Sequence, residues 1–332
     1  MKIMTPQNTD GQTTETSERR ISVGISSCLL GDNVRFNGGH SHSSYCTKTL
    51  SQYFQFEKFC PEVAAGFSTP RPTLRLIGDP NAPKMVYTKD SDTDVTETFV
   101  EGYREHLTTL DHLDGYIVMK NSPSCGMERI KIYQENGHPH MQRTAGLFTQ
   151  ALMDKYPLLP VEEDGRLNDP ALRENFILRV FAHHEFRHQV ATSDNFHDLL
   201  QFHSRYKYLV MAHSQSAYKN IGRLLSNAKK QPLHTLKEIY FAELMQAFKQ
   251  PASRKNHCNV LMHLLGYLKR SVSGGIRQDI ESVIHQYRRG EVTLITPVTL
   301  LRHYLNQYGS EYVKSQRYFE PYPAALGIRS NL

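Results

Sequence analysis

Five cysteines are scattered through 332 residues, and three of them share one setting. Cys28 follows the apolar run Ile21–Ser27, Cys60 closes the run that starts at Phe56, and Cys125 lies in Asn121-Ser-Pro-Ser-Cys-Gly126, just after Gly115–Lys120. Each run is short, apolar and bounded by turn residues, which predicts a strand. Between them Val95, Phe99, Tyr103, Leu107 and Leu110 recur at spacings of three or four, so a helix is expected from about Asp94 to Leu113. Strands alternating with helices predict an α/β domain with a largely parallel, Rossmann-like sheet. In such a sheet the carboxyl ends of the strands lie side by side and form the ligand crevice. Three strands that each end in a cysteine would therefore gather three thiols around one point.

Thiolates are soft ligands and select zinc or iron–sulfur clusters. A closed structural zinc site takes four ligands, usually with a close Cys-x-x-Cys pair, and no such pair is present. Three isolated cysteines suit a four-iron cluster with one iron left open. The competing reading is that they are small buried hydrophobes at strand ends, a common fate of free cysteine.

The bulk composition fits this frame. Hydrophobic residues make up 39% and charged residues 22%, an ordinary composition for a chain with a real core. The odd number of cysteines and the polar, Thr-rich segment 1–19, read as a flexible tail, give no sign of export or of a disulfide framework. Reduced thiols in the cytoplasm are the expectation, and no membrane span is expected. A boundary is expected near Pro160–Asp169, with the first domain at 20–163 and an all-α domain at 168–332. Asn168-Asp169-Pro170 has the form of a cap residue followed by a first-turn proline. Helix breaks are expected at Gln231-Pro232, Gln250-Pro251, Ser273-Gly274-Gly275 and Thr296-Pro297, with an extended tail from Tyr318. Residues 1–155 hold 16 Lys and Arg against 18 Asp and Glu, whereas residues 156–332 hold 23 against 15. The basic surplus thus belongs to the second half, which points to a polyanionic partner there, nucleic acid first. Nothing in the sequence fixes the oligomeric state.

Three motifs sharpen the reading. Ser27-Cys-Leu-Leu-Gly31 with Val34-Arg-Phe-Asn-Gly38, Cys60-Pro-Glu-Val63 with Thr69-Pro-Arg-Pro72, and Ser122-Pro-Ser-Cys-Gly126 stand in order within roughly residues 20–160. Together they resemble the thiouracil desulfurase family. The second half resembles a helical domain often fused to that family, through Phe202-His-Ser-Arg-Tyr-Lys207, Met211-Ala-His-Ser214, Leu261–Lys269 and Tyr287-Arg-Arg-Gly290. The fused arrangement is similar to bacterial desulfidases acting on 4-thiouridine of tRNA. The resemblance implies a [4Fe–4S] cluster held by Cys28, Cys60 and Cys125, with Glu62 and Ser122 as catalytic residues near its open iron. Ser27, Asn37, Arg71 and Ser124 are then assigned to substrate binding, and Cys46 and Cys258 are read as unligated. Asn37 stands where many relatives of that family carry an acidic residue, so the resemblance assigns it no proton-handling role. A thiolated uracil compound or tRNA is the implied partner. Gly31, Gly38 and Gly39 are read as turn glycines.

Two further features are weighed against blander readings. His184-Glu-Phe-Arg-His188 fits the zinc-peptidase pattern H-E-x-x-H. The second half holds 11 of the 17 histidines and offers no identifiable third ligand, so these are read as surface or interface histidines. Arg205-Tyr-Lys-Tyr208, Tyr218-Lys219, Tyr267-Leu-Lys-Arg270 and Tyr287-Arg-Arg289 combine phosphate-neutralising cations with rings that can stack on bases. Tyrosines at helical spacing are more often core, and the domain-wide surplus is the better signal. The alternative to an enzyme is a nucleic-acid-binding module with a structural or sensory metal.

Overall fold

The structure, a computed structural model, describes residues 20–134, 136–327 and 329. The expected tail 1–19 lies outside the described residues. The strands are β1 (Ile21–Ser26), β2 (Phe54–Phe59), β3 (Leu74–Asp79), β4 (Ala82–Tyr87), β5 (Asp90–Asp94), β6 (Gly115–Val118), β7 (Ile130–Tyr133), β8 (Pro139–Thr144) and β9 (Val161–Glu163). Helices α1 (Pro61–Ala64), α2 (Thr96–Thr108) and α3 (Leu147–Lys155) are threaded among them. Then follow α4 (Pro170–Phe186), α5 (Phe196–His213), α6 (Gln215–Ser226), α7 (Leu233–Phe248), α8 (Arg254–Leu265), α9 (Gly274–Arg289), α10 (Ile295–Tyr308) and α11 (Glu311–Lys314).

The expected parallel sheet is present, in the order β2-β1-β6-β9, with all neighbours parallel. Side chains alternate across it, so Gly115 and Tyr116 point to opposite faces. On one face the Tyr116 ring lies over Gly24, where a Cβ would stand 2.3 Å from the ring. Phe148 of α3 meets both Tyr116 and Tyr103 of α2 edge-on, at centroid distances of 5.7 and 5.5 Å. The other face is covered by α4: Phe181 packs on Phe54 at 5.9 Å, and a Cβ on Gly115 would meet Val180 at 2.7 Å. A helix of the second half thus completes the α/β sandwich, and one hydrophobic core runs through both halves.

Sequence periodicity did not reveal the second sheet, β5-β4-β3-β7-β8, which is mixed. Its outer strands read Asp-Ser-Asp-Thr-Asp and Pro-His-Met-Gln-Arg-Thr, polar and largely exposed, so no buried face marks them as strands. The Asp94–Leu113 helix divides into α2 and a short 3-10 turn, Leu110–His112.

In the helical half Asp169 caps α4 through Ala171 N and Leu172 N, with Pro170 in the first turn as the sequence predicts. Two of the expected breaks fall at helix beginnings. Ser273 caps α9, whose first residues are the two glycines. Pro297 lies in the first turn of α10, where a missing N–H costs nothing. The last segment is anchored by buried Tyr318, Phe319 and Tyr322 and includes a 3-10 turn at Ala324–Leu326. No helix among the described residues is long and apolar enough to cross a membrane.

Candidate active site and metal centre

Beyond the carboxyl ends of β1, β2 and β6 lies a cavity of about 420 Å³ whose lining includes Cys28, Cys60 and Cys125. Cys28 stands in a 3-10 turn (Ser27–Leu30) directly after β1, and this turn closes on Gly31 at φ 101°, a conformation that favours glycine. Cys60 immediately follows β2 and precedes Pro61 at the start of α1. Cys125 corrects the simple picture of a cysteine at each strand end. It lies on a loop that leaves β6 at Val118 and folds back to the crevice.

That loop is held at many points. Asn121 adopts φ 57°, which Asn tolerates better than most residues. Ser122 Oγ accepts from the backbone N–H of Ser124 and of Cys125, both at 3.2 Å. Thr149 Oγ1 donates to the Cys125 carbonyl at 2.6 Å, and Met127 N donates to Glu163 Oε1 of β9 at 2.8 Å. Gly146 packs so tightly beneath the loop that a Cβ would stand 2.6 Å from the Ser124 carbonyl carbon.

Glu62, on α1, lines the same cavity. Its Oε1 accepts from Ser124 Oγ at 2.6 Å, and its Oε2 accepts from Arg71 Nε at 2.6 Å, with Arg71 Nη2 at 2.5 Å. The remaining guanidinium donors go to the carbonyls of Ser68 and Val34 and to Thr69 Oγ1. Arg71 also lines the cavity, but its donors are committed to these partners, so it braces Glu62. Ser124 is likewise wholly buried beneath the cavity wall, turned to Glu62 instead of the opening. Asn37 is not brought to the site: it is exposed, and its Oδ1 accepts from Gly39 N in a local turn. Ser27 and Ser122 do line the cavity, as do Ser26, Arg35, Phe36, Thr73, Lys120 and Asn121, which sequence reasoning did not select. Ser26 was the most recoverable of these. It ends β1 one residue before the motif, accepts from Met119 N at 3.0 Å and hydrogen-bonds Cys125.

The three thiols answer to burial first. Burial, reinforced by Cys60, pushes Cys28 up to about 12. Burial raises Cys60 and, with Cys60 and Glu62 nearby, raises Cys125 much further. Left to themselves these are neutral thiols; a cationic centre among them would offset the desolvation and favour thiolates. Around one tetrahedral zinc, with bonds of about 2.3 Å, sulfurs stand roughly 3.8 Å apart. The three sulfurs do not all lie within 4.8 Å of one another. They fit a larger polynuclear centre better than a single ion. Cys46 and Cys258 are buried apart from the cavity, the latter donating to the Ile284 carbonyl at 3.8 Å.

Comparison with known proteins agrees with this layout. A family model described as 2-thiouracil desulfurase matches residues 23–164 and so contains the whole cavity. The Bacillus subtilis protein YbbK is 32% identical over 152 residues, which cover 44% of this chain and 97% of the relative. This chain belongs to the 2-thiouracil desulfurase family. Its second half matches, over residues 207–323, a family described as a protein of unknown function (DUF1722). The Escherichia coli protein YbgA is 32% identical over 157 residues, covering 47% of this chain and 93% of the relative. Among solved structures, a [4Fe–4S]-dependent thiouracil desulfidase, TudS, is 29% identical and aligns with 47% of this family member and 98% of that chain, at a TM-score of 0.36.

The basic and aromatic clusters of the helical half are mostly structural. Tyr206, Tyr208 and Tyr287 are buried, and Arg205 pairs with Glu185 at 2.6 Å. Tyr218, Lys219 and Lys207 stay at the surface around a shallow cavity with His203 and Tyr312.

Proposed function

We propose that the chain is a [4Fe–4S]-dependent desulfurase that converts a thiolated uracil, 4-thiouridine in tRNA or as a nucleotide, to uridine. The reaction is hydrolytic: water replaces sulfur on the ring carbon, sulfur leaves as hydrosulfide, and no net electron transfer occurs. Cys28, Cys60 and Cys125 would hold the cluster. When bound, it supplies a Lewis-acidic iron that attracts and polarises the soft thiocarbonyl sulfur. The observation that carries the reading is the held carboxylate: Glu62 stands in the wall of the three-cysteine cavity, fixed by Arg71 and Ser124. A purely structural metal site has no use for such a group.

Within this reading the chain's own residues handle water and protons. Glu62 takes the proton of the attacking water through Oε1, which keeps a lone pair beyond the one used by Ser124, while Oε2 is taken up by two Arg71 nitrogens. Ser122 Oγ accepts two backbone N–H groups, so its own hydrogen is free to donate into the cavity it lines, toward charge developing on the base. The basic surplus of the second half supports tRNA as the larger substrate, with Lys207 and Lys219 as phosphate contacts. Buried thiols of this kind suit a reducing cytoplasm.

The test is anaerobic. The cluster is reconstituted, and loss of the near-ultraviolet thiocarbonyl absorption is followed for 4-thiouridine as nucleotide and in tRNA. Turnover that requires all three cysteines supports the enzyme, and the faster substrate defines the role of the second half. A complete cluster with no turnover on either substrate overturns it in favour of a metal-bearing nucleic-acid-binding module.

A further inference from the structure

The H-E-x-x-H segment acquires its missing partner from the other half of the chain. Asp114, the residue before β6, is buried where α4 crosses the sheet, and ligand atoms of Asp114, His184 and His188 all lie within 4.8 Å of one another. We propose that these three residues form a second metal site, for a divalent first-row cation such as zinc, which clamps α4 to the amino end of β6.

The donor set is two imidazoles and a carboxylate, a combination that binds such cations with positions left over for water. His184 lies in the last turn of α4, and His188 lies in the π-helical turn that follows, Arg187–Ala191. Spacing of four residues brings their rings to a centroid distance of 4.2 Å. Both line a cavity of about 780 Å³ between the halves, which gives the cation an entry path and room for water. The carboxylate is oriented as a ligand should be. Oδ1 is held by His183 Nδ1 at 2.9 Å and Arg187 Nη1 at 3.2 Å, while Oδ2 faces His184 Nδ1 at 2.6 Å. Around a tetrahedral ion with bonds of about 2.0–2.1 Å, ligand atoms stand roughly 3.3 Å apart. A cation between Asp114 and His184 therefore takes the place of their shared hydrogen, which moves to Nε2 of the imidazole, and widens that gap slightly. Arg187 is the nearest opposing charge, and it remains on the far oxygen.

The same geometry says what the site does not do. Glu185 would be the base in a peptidase, but Tyr206, Arg205 and Arg317 hold its carboxylate at 2.8, 2.6 and 2.9 Å. The site is a brace between the halves, not a hydrolytic centre. It is also separate from the cysteines: Asp114 and the cysteine loop leave β6 at opposite ends, about 13 Å of strand apart.

The test adds zinc alone to the full chain with its iron–sulfur centre loaded, so that the cysteines do not compete for zinc. Elemental analysis after gel filtration is expected to give about one zinc per chain beside the iron. Zinc should raise Tm by several degrees and EDTA should reverse the rise. His188 is exposed, so His188→Gln should fold normally in EDTA; it should lose the zinc and the Tm shift while its iron content stays unchanged. His184→Gln gives the second reading should His188→Gln prove unstable. No zinc in the unsubstituted chain, or zinc and a Tm shift that persist in both variants, would overturn the proposal, as would zinc that follows the cysteines in Cys60→Ser.

Discussion

In the α/β half burial drives three thiols up, and in the helical half burial drives histidines down. Cys28, Cys60 and Cys125 are held protonated; His213 and His257 are held deprotonated, and His203 is pushed down to about 4. The physical cause is the same, exclusion of charge from a low-dielectric interior, and it keeps both sets neutral. What differs is the setting. The thiols surround an open cavity with a fixed carboxylate in its wall, whereas His213 and His257 are enclosed by the core, His257 against Tyr318 OH and His213 against the Gln250 carbonyl. Burial beside a cavity prepares a group for a ligand that brings charge; burial without one only packs it.

The largest effect should come from the cysteines. Cys28→Ala, Cys60→Ala or Cys125→Ala should remove the cluster absorption and lower turnover by about 10³-fold or more, the value of a lost Lewis acid. Retained turnover in any one would detach that cysteine from the centre. Glu62→Gln should keep the cluster spectrum and lose about 10²–10⁴-fold in kcat. An unchanged kcat would leave the carboxylate a structural group after all.

In the helical half the same kind of substitution should show up in stability. Glu174 is buried with Arg329 at 3.3 Å and Tyr322 OH at 3.1 Å. Glu174→Leu should cost about 3–5 kcal/mol in denaturant unfolding by stranding the arginine, with kcat of the folded protein preserved. Acid should act on this half in the same direction. A histidine at about 4 when folded and 6.5 when unfolded leaves the unfolded chain binding more protons between those values, so stability falls as pH drops from 6.5 toward 4. For His203 the loss is about 3 kcal/mol, and His203→Phe should flatten that part of the stability profile. The smallest effect is expected at the surface. Lys207→Ala and Lys219→Ala should each reduce the salt dependence of tRNA binding by about one charge and leave nucleotide turnover unchanged. Equal effects on both substrates would place these lysines in the fold instead of the RNA path.

What the sequence made legible follows from the same distinction. Cys28, Cys60, Glu62, Ser122 and Cys125 lie in short motifs beside buried strands, where local pattern and site coincide. Arg71 and Ser124 were in the motifs too, yet their roles depend on partners as far as 37 and 62 residues away, and no local pattern carries that. The second sheet was hidden because its edge strands are polar. Asp114 was invisible as a partner of His184 because the two are 70 residues apart and meet only where α4 crosses the sheet.

That crossing has a consequence for how the two halves can be inherited. The family match ends at Asp164, but the sandwich does not end there, because Phe176, Val180 and Phe181 of α4 cover one face of the parallel sheet. A recombination that cut the gene at the match boundary would hand on a first half with a bare apolar face, the kind of patch that seeks another chain. To stand alone, that half would have to cover this face in some other way, with a partner chain or with another part of its own fold.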